Sequence, residues 1–178
     1  MTMRLVFGLD PGTHGALGWL ADGQVEGVED MPRMRCGRVD GYRLRQILRE
    51  VMQRHAGADV LVVLELVSGF RGQGGASQFT FGQADGIARG VVMALDLPWT
   101  EVRPQVWKAR FRLLNTGGRL GSTQREAKGA SRRRAAACWP ELASLFSRVK
   151  DDGRAEALLL ARWGWETEAW LDARGGGR

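Results

Sequence analysis

Apolar residues recur along this chain in two rhythms. Residues 4–9 (Arg-Leu-Val-Phe-Gly-Leu) are a nearly unbroken apolar run of strand length, which predicts a buried strand. Residues 15–21 and 24–29 flank Asp22-Gly23, a pair suited to a type I′ hairpin turn, so three opening strands joined antiparallel are expected. Residues 59–65 (Asp-Val-Leu-Val-Val-Leu-Glu) are too short and too β-branched for anything but a central strand. A fifth, short strand is expected over 98–102. Elsewhere the spacing lengthens to three and four. Leu44, Ile47, Leu48, Val51 and Met52 share one face opposite Arg43, Arg45, Arg49 and Glu50, predicting a helix capped by Asp40 and reaching about His55. Further helices are expected over 78–95, briefly from Pro104, over 123–138, and from Asp152 to about Leu171. Thr123-Gln-Arg-Glu126 supplies a capping box for the third of these, and Trp139-Pro140 breaks it. Gly82, Gly86 and Gly90 recur on one face of the helix over 78–95, where close packing against the sheet is expected. Loops fall at 32–39, 68–77 and 112–122.

This order is an α/β arrangement that resembles the RNase H-like plan: a mixed five-stranded sheet, three strands antiparallel and then two parallel, flanked by helices. In that plan the first and fourth strands are central neighbours. Asp10 ends the first and Glu65 the fourth, so their carboxylates are expected to meet at one sheet edge, where ligands of α/β sheets usually bind. The length fits one domain over 1–171, with 172–178 a flexible Gly-rich tail. No internal repeat is visible.

Composition narrows the function. No uncharged apolar run of about 18 residues exists, so no membrane span is expected. Asp10 interrupts the first apolar run too early for a secretory signal, and cytoplasmic residence follows as an expectation. Cys36 and Cys138 sit in no CxxC or Cys/His pattern and read as reduced, core-filling residues. His14 and His55 lack metal-ligand spacing, so thiolate and zinc enzymes are disfavoured. The net charge of +6 points to a polyanionic partner. Among the basic residues only Lys108, Lys128 and Lys150 are lysines. Arginine suits bidentate phosphate contacts, although GC-rich codon usage produces the same bias.

Three acidic pieces carry the candidate chemistry. Asp10 lies in Gly8-Leu-Asp-Pro-Gly12, which on its own is also a good turn. Glu65 closes an unbroken apolar strand, a costly place for a carboxylate unless it is paired, metal-bound or reaches solvent. Asp152 and Glu156 are four apart and project from one helix face. Asp151 is rotated from Glu156 by roughly 140°, against roughly 40° for Asp152, which favours Asp152. An N-capping aspartate with a dipole-complementing glutamate also accounts for that pair. Converging carboxylates suit hard divalent cations, and two such ions can drive phosphodiester hydrolysis.

Together, Gly-Leu-Asp-Pro-Gly at 8–12, the strand-end Glu65, and Asp152-Gly-Arg-Ala-Glu156 with its following Ala-Leu-Leu-Leu-Ala resemble the RuvC family of Holliday junction resolvases. The similarity runs over about residues 4–165 and is strongest to phage-type and shorter bacterial members. It implies a homodimeric endonuclease acting on branched DNA, the four-way junction. It also implies Mg²⁺ or Mn²⁺, two ions per site, held by Asp10, Glu65, Asp152 and Glu156. Lys108 and Lys128 resemble family lysines that contact the junction, and Phe70 resembles an aromatic that meets bases at the crossover. The family commonly ends its acid set with two acids three apart, the second an Asp. Here the spacing is four and the second is Glu156, which leaves the choice between Asp151 and Asp152 open.

The loop Ser68-Gly-Phe-Arg-Gly-Gln-Gly-Gly75 offers Phe70 for base stacking and Arg71 and Gln73 for backbone contact. Lys128, Arg132 and Arg133 line the basic helix and are expected on phosphate. The tryptophans, Trp107 among them, read as core or subunit-contact residues. No small-molecule cofactor is expected. Competing readings are another RNase H-like nuclease, acting on flaps, RNA–DNA hybrids or branched replication intermediates, and a non-catalytic junction-binding protein. An actin-like ATPase or sugar kinase would need a second Asp-x-Gly hairpin and about twice this length.

Overall fold

The computed structural model describes residues 2–66, 74–114, 129–167 and 169. In chain order its elements are β1 (Arg4–Asp10), β2 (Ala16–Ala21), β3 (Gln24–Asp30), α1 (Gly41–Arg54), β4 (Asp59–Glu65), α2 (Gly75–Ala94), β5 (Trp99–Val102), α3 (Pro104–Arg110), α4 (Ala130–Cys138) and α5 (Asp152–Glu166). Short 3-10 segments occupy Pro140–Phe146 and Val149–Asp151. The strands form one five-stranded sheet in the order β3-β2-β1-β4-β5. β1 pairs antiparallel with β2 and parallel with β4, and β4 is parallel to β5. The mixed sheet and the central β1–β4 pair expected from the sequence are therefore present. Asp22 and Gly23 both take positive φ, 45° and 80°, the turn that Asp-Gly favours.

Alternation along the strands divides the apolar side chains between two cores. Leu5, Phe7, Leu9, Val62 and Leu64 face α1 and α2, meeting Leu44, Ile47, Leu48, Ala84 and Ala88. Val6, Leu61 and Val63 face the opposite way, onto Trp107, Ala135, Leu158 and Leu159 of α3, α4 and α5 and onto Phe111, which follows α3. Helix α5 lies on this second face with its backbone against the sheet. A Cβ built on Gly8 would stand 2.0 Å from the Ala157 carbonyl oxygen, and one on Gly153 2.5 Å from that of His14. Only glycine permits this approach, and it sets the first turns of α5 beside the end of β1.

Several expectations are corrected. Gly82, Gly86 and Gly90 do share a face of α2, but a Cβ on any of them would meet nothing within 4 Å. The packed face is instead Ala84, Ala88 and Val92, two residues out of phase, where side chains exist to be buried. α2 begins at Gly75 rather than 78, and α5 ends at Glu166, short of 171. Cys138 packs against the second core, but Cys36 is exposed in the basic loop and fills no core position. That loop is a projecting hairpin with its own backbone pairing. The capping box at Thr123–Glu126 and the terminal tail lie outside the described residues. No helix among the described residues is long and apolar enough to cross a membrane.

Candidate active site

Parallel pairing of β1 with β4 runs to Leu9 opposite Leu64, so the next residue of each strand, Asp10 and Glu65, stands at the same sheet end. α5 supplies Asp152 and Glu156 from its exposed flank, and α3 supplies Lys108. Asp10, Lys108, Ser131, Asp152 and Glu156 line a cavity of about 470 Å³, with Phe81 of α2 on its wall.

The electrostatics of this pocket are unresolved by the protein itself. Asp10 is pushed up to about 8, first by burial and then by the negative charges of Glu156 and Glu65. The Gly12 N–H and Lys108 oppose that rise without cancelling it. Glu65, 8% exposed, is raised by burial and by Glu156, against Lys108 and a hydrogen bond from Trp107. Burial alone would lower Lys108, yet Glu156, Glu65 and Asp10 together hold its ammonium above the ordinary value. Three carboxylates thus share one buried cation.

Neutral donors fix two of those carboxylates. The indole Nε1–H of Trp107, a fully buried residue, donates to Glu65 Oε1 at 2.9 Å. The Ser131 hydroxyl donates to Glu156 Oε1 at 2.8 Å, and the same oxygen lies 3.0 Å from Lys108 Nζ. Asp152 accepts from Arg132 Nε at 2.8 Å. Its neighbour Asp151 is turned away from the pocket: 1% exposed, it accepts from the Arg148 backbone N–H at 2.8 Å and from the Arg148 guanidinium. Burial raises the Asp151 pKa, but these bonds outweigh it and hold the group below its usual value.

The structure therefore brings together Asp10, Glu65, Glu156 and Lys108, and sets Asp152 on the wall of the same cavity. Arg132, expected on phosphate, is held by Asp152, and Arg133 is exposed on α4. Phe70, Arg71, Gln73 and Lys128 lie outside the described residues. Sequence reasoning missed Ser131 and gave Trp107 only a packing role. Nothing in the spacing of Ser131 marks it, because α4 and α5 meet only in three dimensions; the adjacency of Trp107 to Lys108 was the one available sign.

Among the described residues no group of three His, Cys, Asp or Glu side chains stands ready as a metal-binding cluster. The chemistry of the donors nonetheless fits a hard divalent cation: all are carboxylate oxygens, and they exceed the positive charge buried with them. Lys108 and Arg132 occupy that role in the structure.

Comparison with protein-family models gives no match, and none is found among curated protein sequences. Solved structures are similar in fold. Thermus thermophilus RuvC in complex with Holliday junction substrate superposes with a TM-score of 0.54 at 17% identity, over 97% of this chain and 96% of that one. A second Thermus thermophilus RuvC structure gives 0.50 at 18%, over 97% of each. The chain has the mixed-sheet fold of these RuvC structures.

Proposed function

We propose that the protein is a structure-specific endonuclease that resolves four-way DNA junctions, with Asp10, Glu65, Asp152 and Glu156 as its Mg²⁺- or Mn²⁺-binding acids. The observation that carries this reading is the convergence of Asp10, Glu65 and Glu156, under mutual repulsion, at one end of the sheet. Such strained ionisation clusters at functional sites. The fold shared with a RuvC bound to Holliday junction substrate supports the choice of DNA.

A bound pair of divalent ions would supply an activated water and charge relief on the leaving oxygen. The chain's own residues do the rest. Asp10 and Glu65 form the fixed wall, since both end buried strands and Glu65 is tethered by Trp107. Glu156 and Asp152 ride on α5 and are released as Lys108 and Arg132 transfer from carboxylate to phosphate. Ser131 keeps Glu156 in place during that exchange. Acting as a homodimer, two such pockets cut opposing strands.

The test incubates the protein and Mg²⁺ with end-labelled four-way junction, duplex, flap and RNA–DNA hybrid. Paired, symmetric nicks in the junction alone are expected. Preferential cutting of flap or hybrid would reassign the substrate, and no cutting of any would remove the nuclease reading.

A further inference from the structure

Beyond the pocket, the loop after β3 carries a second feature. Arg33 bridges Val39, the Met34 N–H donates to the Arg38 carbonyl at 2.9 Å, and the Gly37 N–H donates to the Met34 carbonyl at 2.9 Å. This is a tight hairpin, turned at Gly37 with φ of 85°. Its base is anchored by Met31 and Val39, 3% and 1% exposed, and Asp40 after it caps α1. Its other side chains are different. Arg33, Arg35 and Arg38 are all exposed.

Two groups of arginines can be told apart in the fold. Arg43, Arg89, Arg110, Arg132, Arg148, Arg154 and Arg162 each pair with a carboxylate. Among the described residues Arg33, Arg35 and Arg38 pair with none; Arg38 touches only the Cys36 sulfur, at 3.4 Å. The nearest acids in sequence on either side are already engaged. Asp30 binds Arg154 at 2.6 Å and 2.8 Å, and Asp40 accepts the Arg43 N–H at 3.0 Å. Three guanidinium groups on one backbone-paired hairpin therefore carry positive charge that no carboxylate among the described residues balances.

The hairpin also stands at the right end of the sheet. Asp10 is opposite Ala16 and Ala16 opposite Asp30, so the hairpin springs from a strand end two strands from Asp10, about 10 Å at ordinary strand spacing. The Met31 N–H donates to the Gly15 carbonyl at 2.9 Å, and Gly15 lines the acid pocket. Arg154 on α5, between Asp152 and Glu156, ties that helix to Asp30.

We infer that the Arg33–Val39 hairpin is a phosphate-binding arm that grips the DNA backbone of a duplex leaving the acid pocket past the β3 edge. This rests on the nuclease reading and extends it from the cut site to a duplex arm. Guanidinium groups there recognise phosphate and carry no base information, so the arm adds affinity for any sequence.

The test measures the dissociation constant for a four-way junction in Ca²⁺ across a salt series. It compares Arg33→Gln/Arg35→Gln with Arg49→Gln/Arg54→Gln, a matched pair of exposed arginines farther along α1, toward the opposite end of the sheet. The hairpin variant is expected to lower the slope of log K against log salt by about 1–2. It should weaken binding about tenfold near 0.1 M salt, while the helix variant keeps the parent slope. Equal slopes in the two variants would overturn the arm and leave the nuclease reading standing. A parent protein that fails to bind the junction at all would overturn both.

Discussion

Asp151 and Asp152 are consecutive residues, yet they belong to two acidic clusters with opposite electrostatics. Asp151 and Asp30 sit with Arg148 and Arg154, and both carboxyls are held below the ordinary range by those guanidinium groups. Across the first turn of α5, Asp10 and Glu65 are both raised, by burial and by Glu156. The first cluster matches each charge and fastens α5 to β3 and to its own leading turn. The second gathers more negative charge than it neutralises. A fold keeps such a conflict only when the surrounding packing fixes it, here the close seat of α5 on Gly8 and strands buried on both faces. One cluster is thus balanced, and the other, unbalanced, is the one the proposed function uses.

Substitution should separate the two most sharply in cleavage. Asp10→Asn and Glu65→Gln are each expected to lower junction nicking by at least about 10²–10³-fold while junction binding persists. Asp151→Ala should keep the nicking rate of the parent within a few-fold at temperatures where it is folded. Comparable loss from Asp151→Ala would erase the distinction.

A smaller effect should come from the neutral donors. Ser131→Ala is expected to weaken Mn²⁺ binding, followed by calorimetry, about tenfold, with Ser131→Thr restoring most of it. An unchanged Mn²⁺ affinity in Ser131→Ala would reduce that hydroxyl to packing.

Stability should move in opposite directions. Asp151→Ala loses buried hydrogen bonds worth about 1–3 kcal/mol, so the Tm should fall by roughly 3–10 °C. Asp10→Asn removes the cost of taking up a proton on folding and should raise the Tm at neutral pH in metal-free buffer. The smallest signal is its pH dependence. Asp10 holds its proton up to about 8 when folded, against 3.8 for an ordinary aspartate, so folding gains from protonation. That contribution is full below about pH 4 and is lost as pH rises toward about 8. The Tm advantage of Asp10→Asn over the parent should therefore grow between those limits. Asp151 runs the other way: its contribution is present above the unfolded carboxyl pKa and disappears as pH falls through its lowered folded value. A flat difference between Asp10→Asn and the parent would mean that the carboxyl is not in conflict.

How far the sequence foretells this depends on whether a signal is local. The strand runs, the Asp22-Gly23 turn and the α1 periodicity are properties of neighbouring residues, and all appear in the structure. Asp10 and Glu65 are legible because both end apolar runs, and strand ends collect at sheet edges. The partners of those acids are not. Ser131 and Arg132 reach Glu156 and Asp152 only through the crossing of α4 and α5, and Trp107 bonds Glu65 across 42 positions of chain. The glycines of α2 show the converse failure: their four-residue spacing does place them on one face, but periodicity does not say which face is buried.

The most direct test of the account is the position of Mn²⁺ in crystals of the protein, located by anomalous scattering. A peak within coordination distance of Asp10 and Glu65, with Glu156 turned onto it from Lys108, is the expected result. A structure in which Mn²⁺ leaves Asp10 and Glu65 untouched at saturating concentration, with Lys108 still on Glu156, would contradict it.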